Sequence, residues 1–379
     1  MGNFIIGTGV LLPAGLLNDV SRDFGISAAT AGLLMLAGGV VVAIGAPLSA
    51  AFTSRIDRRT LLAASLALYA GGHLVSALVP DFTLLLVLRA ITVLGAAVFT
   101  PQAAATAGLL VPAERRASAI AFIFIGWSAA SVAGIPLGAY LATFLGWRVV
   151  FAGMGIACAL AAFLIWRSLR PGLFVQPLNG AAWREALGNP LILMVLLVTL
   201  LSMSGQMTVF TYIAPILRDG FGGGPGDVSL AFAIAGIAGV GGNWLAARVV
   251  GWAGIERTIA IAISCLIAGI ALFAAAFGML LPAFIGIGLW GLGSFSSNSL
   301  QQSRLVAAAP ALAAATIALN TSVVYVGQAV GAGLGGWFMA GSAAGGANGA
   351  VGPAIIWTAS ALTALSLLTS LGAARLRRD

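Results

Sequence analysis

The sequence holds ten carboxylates, one histidine and eighteen basic residues, every one of them arginine. Nearly all stand in short breaks between long apolar runs. His73 and Arg89 lie inside such runs, and Asp19 lies near the end of the first. An ionisable group in an apolar run is costly and marks a proton relay, an ion path or a cargo site. His73 has the ordinary range for exchanging a proton near neutral pH. Asp19 offers a carboxylate, and Arg89 would bias the titration of either if close to it. Arg89 has a second reading, because Pro80-Asp81 lies one or two turns away and the guanidinium could snorkel to that interface. Bond-making chemistry needs clustered His, Asp, Glu or Cys, and the runs hold no such cluster. Cys158 and Cys265 each sit in an apolar run, with neither metal-ligand nor disulfide spacing. No enzyme, metal or cofactor is expected.

The elements that must carry these groups follow from composition. Hydrophobic residues make up 60% of 379 and charged residues 7%, against roughly a quarter charged in soluble domains. So few charges cannot cover a surface in water, so the solvent is a lipid bilayer. A span needs about 20 apolar residues, and its backbone must be paired internally, as a helix or a closed barrel. The runs are long and do not alternate, which excludes a barrel. Twelve helical spans are expected, at about 2–20, 29–52, 60–79, 82–108, 118–142, 147–168, 190–216, 227–250, 258–278, 280–303, 312–340 and 350–373. The first lacks the basic start and cleavage site of a signal peptide and is read as a helix. The net charge of +8 is dispersed between runs, which argues against nucleic acid as a partner.

Arginine sets the orientation. With the N-terminus cytoplasmic, 14 of the 18 arginines face inside. Arg22, Arg148 and Arg218 face outside and Arg89 is embedded. Both termini are expected in the cytoplasm of a bacterial cell, the chain lying in the inner membrane. The polar stretch from Arg167 to Pro190 divides six spans from six, giving an N-terminal bundle over 1–170, a cytoplasmic linker over 171–189 and a C-terminal bundle over 190–379. A weak repeat supports the division. Gly134-Ile135-Pro136-Leu137-Gly138 echoes Gly331-Ala332-Gly333-Leu334-Gly335, Arg59 echoes Arg257 and Gln102 echoes Gln301, at offsets of 197, 198 and 199.

These residues resemble the major facilitator superfamily, in its twelve-span drug:proton antiporter branch, near the sugar and drug efflux permeases. The closest likeness is Gly134-Ile135-Pro136-Leu137-Gly138 followed by Gly146-Trp147-Arg148, similar to the antiporter signature and the opening of the sixth span. Ala31 to Leu34 with Gly45-Ala46-Pro47-Leu48, and Gln328-Ala329-Val330-Gly331-Ala332, resemble the second and eleventh spans. The resemblance implies an all-α membrane fold of two pseudo-symmetric six-helix bundles and alternating access of a central site. It implies efflux of a small organic solute coupled to protons, with Arg89 matching the family's embedded arginine and Asp19 or His73 as carrier. An uncoupled uniporter or importer of a neutral metabolite is the alternative, and a receptor or scaffold on this fold a third. The loop after span two departs from the family pattern: Ala50, Ser54 and Asp57 replace Gly, Asp and Gly, while Arg55, Arg58 and Arg59 remain. Two readings stand there, gating with the carboxylate moved to Asp57, and topogenic charge alone. Gly134, Pro136 and Gly138 are expected at a sliding contact between the halves.

In the resembled fold spans one, four, seven and ten line the cavity, helped by five and eleven. That implies cargo contacts from Phe99, Gln102, Trp127, Gln206, Phe210, Trp290, Asn298, Gln301, Asn320, Tyr325 and Gln328. Ser294 belongs with them. The expected partners are a small-molecule substrate, protons and lipid, and a monomer is expected.

Overall fold

The structure, a computed structural model, describes residues 1–112, 115–174, 180–345 and 351–376. Glu114, the middle of the linker and the last arginines, Arg377 and Arg378, lie outside the described residues.

The described chain is helical. The first half contains α1 (Gly2–Phe24), α2 (Ala28–Ala31), α3 (Leu33–Phe52), α4 (Arg58–Ser76), α5 (Phe82–Leu109), α6 (Arg116–Ala129), α7 (Ile135–Leu145) and α8 (Trp147–Ser168). A short amphipathic helix, α9 (Gly180–Gly188), occupies the linker. The second half contains α10 (Pro190–Phe210), α11 (Ile213–Phe221), α12 (Pro225–Ala253), α13 (Ile255–Ala275), α14 (Leu280–Ala308), α15 (Ala313–Gly345) and α16 (Val351–Leu376). Ten of the described helices are long and apolar enough to cross a membrane, and α1 makes an eleventh, bent by 50° between Leu11 and Pro13. The remaining crossing, α4, carries Arg58, Arg59 and His73 and is less apolar.

The helix ends are written locally. Asp57 and Asp81 accept the N–H groups of Thr60 and Leu84 at the starts of α4 and α5. Asn189 accepts from Leu191 and Ile192 ahead of Pro190. Gly25, with φ 62°, closes α1 in the left-handed conformation that glycine adopts without penalty. The boundary between α7 and α8 uses the Gly-Trp-Arg run. Trp147 donates to Asp23 at 3.0 Å and Arg148 pairs with the same carboxylate at 2.8 Å. The run therefore ties the start of α8 to the end of α1.

Four expected spans are not single straight helices. The second is interrupted at Gly32, between α2 and α3. The fifth passes through a π turn, Ala130–Gly134, just ahead of Pro136. The seventh breaks at Thr211-Tyr212 into α10 and α11. The first bends because Pro13 has no N–H for the carbonyl of Gly9 four residues back. The buried guanidinium of Arg89 on α5 takes that place, donating to the carbonyls of Gly9 and Val10, each at 2.8 Å.

The two halves meet along α3 with α15, α7 and the π turn with α12, and α1 with α11. Met1, Leu62, Leu110 and Leu169 gather at one end of the molecule, the termini end. The named contacts between halves run from mid-bundle, where Gly39 faces the backbone of Tyr325 and Ala329, to the opposite or far end, where Gly32 meets Tyr212.

Arg89→Leu is expected to destabilise the detergent-purified protein by about 1–3 kcal/mol, the cost of leaving a buried carbonyl unmet. Pro13→Ala returns an N–H to the Gly9 carbonyl, so the double variant should lose less than the sum of the two single losses in thermal melts. Strict additivity would refute the clamp.

Candidate functional site

A cavity of about 70 Å³ lies between the halves. The first half lines it with Leu11, Ser131 and Ile135. The second lines it with Gln206, Met207 and Phe210 on α10, Ile213 on α11, Phe232 on α12, and Trp290 and Ser294 on α14. Gln206 is its polar hub. Its Oε1 accepts from the Trp290 indole at 3.3 Å and from the Ser294 hydroxyl, and its Nε2 donates to Ser202 at 3.2 Å. Phe210 stands edge-on to Phe232 and Trp290, with centroids 5.2 and 6.3 Å away. A buried amide with its dipole fixed, beside aromatic faces, suits a neutral solute that can hydrogen-bond and stack. No ionised side chain is among the lining residues.

Of the residues named from the sequence, Gln206, Phe210 and Trp290 are thus brought together at one cavity. Asn298, Gln301 and Asn320 are held deeper in the second half. Thr199 donates to Asn320 at 2.9 Å, and Asn320 to Asn298 at 3.3 Å. Gln301 is buried, and neither of its amide atoms meets a protein partner. It lines a separate small void of about 10 Å³, whose wall also includes Gln206. Tyr325 and Gln328 sit in the seam instead. Gln328 donates to the Met35 carbonyl at 3.3 Å, and Tyr325 packs on Val42.

The first-half residues are placed elsewhere. Phe99 packs against Gly2 and borders a separate cavity of about 580 Å³ at the termini end. Gln102 accepts from Arg58, and Trp127 packs on Gly7. Arg89 is occupied by α1. His73 bonds through Nδ1 with the Tyr69 carbonyl at 2.9 Å, with Phe151 close by. Asp19 lies toward the far end, part-exposed, 3.8 Å from Arg22. None of these three lines the central cavity.

The expected gating residues divide. Gly134 and Gly138 face Thr8 and Leu12 of α1, inside their own half, and Pro136 is buried beside them. Their small size serves packing of α7 on α1, a correction to the sliding contact expected of them. The seam uses other glycines: Gly15 against Phe232, Gly39 against α15, and Gly236 against Ser131. In the loop after α3, Arg55 is exposed. Arg58 is fully buried, donating to Gln102 and to the Thr53 carbonyl, and Arg59 lies 4.2 Å over the Trp166 ring. Asp57 straps the chain beyond α8 to the start of α4. Its Oδ2 accepts from Gly172 and Leu173, and Leu173 in turn accepts from the N–H of Arg58.

The second half carries an ion pair on a buried arginine that the sequence reading missed. Arg304 on α14 lies 2.6 Å from Glu256 on α13 and donates to the Ser370 hydroxyl and carbonyl on α16. Its signal was present: an arginine one turn after Gln301 in a run otherwise without charge. Ser131 and Leu11 left no signal, since neither residue type stands out in an apolar helix.

Burial pushes the Asp57 carboxyl up, but the N–H groups of Thr60, Gly172, Leu173 and Arg59 outweigh it and hold its pKa below the ordinary value. A depressed carboxylate stabilises the fold above the unfolded pKa and stops doing so as pH falls through the folded one. Asp57→Asn is therefore expected to lower the melting temperature at pH 7. The gap from wild type should close on acidification below the usual Asp range, as followed by circular dichroism in detergent.

Comparison with known proteins agrees with this architecture. The family model described as Major Facilitator Superfamily matches residues 1–332. A chloramphenicol resistance protein of Streptomyces lividans is 30% identical over 96% of this chain and 92% of its own. The inner membrane transport protein YdhP of Escherichia coli O157:H7 is 29% identical over 89% and 86%. A solved D-xylose-proton symporter superposes with a TM-score of 0.77 at 17% identity, covering 97% of this chain and 94% of its own. With its helices, its two halves and its central cavity in place, the chain belongs to the major facilitator superfamily.

Proposed function

We propose that this transporter exports a neutral, hydrogen-bonding organic solute across the bacterial inner membrane by alternating access. The observation that carries the reading is the uncharged cavity between the halves, with the Gln206 amide fixed by Trp290 and Ser294 and flanked by Phe210. The arginine distribution supports a cytoplasmic position for the termini end. The halves then touch from mid-bundle to the outer face, an arrangement that a rocking motion would reverse. Export is supported by the name of a relative from Helicobacter pylori (strain G27), a probable sugar efflux transporter.

Proton coupling is the finer question. Arg89, His73 and Asp19 are engaged away from the cavity. That favours a facilitative mechanism as the second reading, in which the solute gradient alone drives movement.

Cells expressing the protein are to be loaded with labelled chloramphenicol or labelled D-xylose, and release followed with and without a protonophore. Release faster than in cells without the protein supports transport, and its persistence under the protonophore supports the facilitative reading. Gln206→Ala should cut the rate at subsaturating solute about tenfold or more, the loss of one or two buried hydrogen bonds to cargo. A panel of neutral solutes among which none is moved would remove the proposal.

A further inference from the structure

One buried amide of the second half lacks the partner that its repeat mate has in the first. Asp57, Arg58 and Gln102 recur as Glu256, Arg257 and Gln301, each at an offset of 199. In the first half the buried Arg58 guanidinium donates to Gln102. In the second half Arg257 is exposed, and the buried arginine, Arg304, is engaged by Glu256 and Ser370. Gln301 is 2% exposed, yet neither its Oε1 nor its Nε2 meets a protein group. Burying polar amide atoms unmet is costly, and most of all within a bilayer.

The void of about 10 Å³ beside Gln301 has room to answer it, with Ser202, Gln206 and Asn298 also in its wall. A water site needs about one water-sized sphere of space, on the order of 10 Å³, and two to four polar partners. The void meets that size and no larger one, and no carboxylate lines it to balance a cation. Ser202 has a proton to give there. The Trp290 indole can only donate, so it holds the Gln206 Oε1 and turns Nε2 toward Ser202, at 3.2 Å. The serine oxygen therefore accepts, and its own hydrogen is available to the void.

We propose that the void seats one bound water, which accepts from the Ser202 hydroxyl and donates to the Gln301 Oε1, and that Gln301 is thereby a positioning residue for Gln206. The relay runs from Gln301 through the water and Ser202 to the Gln206 amide. It holds that amide with Oε1 spent on Trp290 and Ser294. What remains to face cargo is the second N–H of Nε2, a donor. The solute recognised there carries an acceptor oxygen, a carbonyl or a hydroxyl. This cargo step rests on the transporter reading and narrows it, whereas the water and the relay stand apart from it.

The experiment pairs crystallography with transport, both on the full-length protein. A map from lipidic-mesophase crystals, at a resolution that shows waters, should hold a peak within about 3.2 Å of both the Ser202 hydroxyl and the Gln301 amide. Gln301→Met, close in length and without an amide, should lose the peak and let the Gln206 amide leave Ser202. In uptake of labelled chloramphenicol or D-xylose by inside-out vesicles, Gln301→Met and Ser202→Ala should each raise KM about fivefold. Loss of folded protein alone would act on the maximal rate instead. The double variant should be no worse than the poorer single one, because both break one relay. A wild-type map without the peak would overturn the water site. A lower melting temperature in Gln301→Met, with Gln206 unmoved and KM unchanged, would leave Gln301 as packing and overturn its positioning role. If Gln301→Met does not fold, the wild-type map and Ser202→Ala decide. Wild-type vesicles that take up neither solute would count against the transport reading, and the two maps would then decide the relay by themselves.

Discussion

A carbonyl freed inside lipid has no water to turn to, and this structure is organised around the places where that happens. Proline interrupts three spans, and each interruption is resolved differently. At Pro13 the freed Gly9 carbonyl recruits Arg89 from α5, so the embedded arginine is tied to the kink of α1. Ahead of Pro136 the helix widens into a π turn, with the N–H of Ile135 reaching back to Ala130. Ahead of Pro215 the helix breaks at Thr211-Tyr212 and resumes as α11. A charge, a change of helix pitch and a break in the helix are three local answers to one problem, and they differ in how easily they can be undone. The guanidinium is the most firmly held, since parting it from two carbonyls would strand a buried cation.

Small residues have two jobs that sequence spacing alone does not separate. Gly134 and Gly138 admit α1 to α7, and Gly331 and Gly335 admit α10 to α15 in the same manner one repeat later. This is tight packing within a half, where lipid offers no hydrophobic drive and close approach supplies the attraction. Gly39 and Gly236 instead bring backbones together across the seam. Glycine contacts put no rotamer-locked side chains between the halves, which leaves that surface smooth.

The fold was legible because its signals are long-range and redundant. Twenty-residue apolar runs, lopsided arginines and an offset near half the length all survive errors of a few residues, and the structure returns those spans. What escaped the sequence was local direction. Gln102 and Gln301 echo each other at an offset of 199, yet one accepts from Arg58 while the other stands beside a void. Gln206, Phe210 and Trp290 converge, whereas Phe99 and Trp127 on equally plausible helices face other partners. A helix presents a side chain according to its rotation and bends. Both are set here by Pro13, Pro136 and Pro215, whose effects are read only once the neighbouring helices are in place. Asp57 stood out in the sequence as a displaced carboxylate, but its partner is a loop backbone that leaves no mark in sequence.

The division of labour between the halves follows from where charge is tolerated. The first half holds Arg89 and His73 in its interior, each bonded to backbone carbonyl. The second half holds neutral amides and hydroxyls there, with Arg304 and Glu256 confined together toward the termini end. A neutral amide can trade a protein partner for a cargo partner at little cost, because its other hydrogen bonds stay in place. A guanidinium cannot leave its carbonyls without meeting another acceptor. The uncharged cavity lining contributed by the second half is therefore the surface suited, on the proposed reading, to recognise a neutral solute. The broken helix belongs to that same half, and it places Gln206 and Phe210 within two turns of Tyr212. On the proposed reading, cargo recognition then falls chiefly to α10, with Leu11, Ser131 and Ile135 of the first half facing it across the cavity.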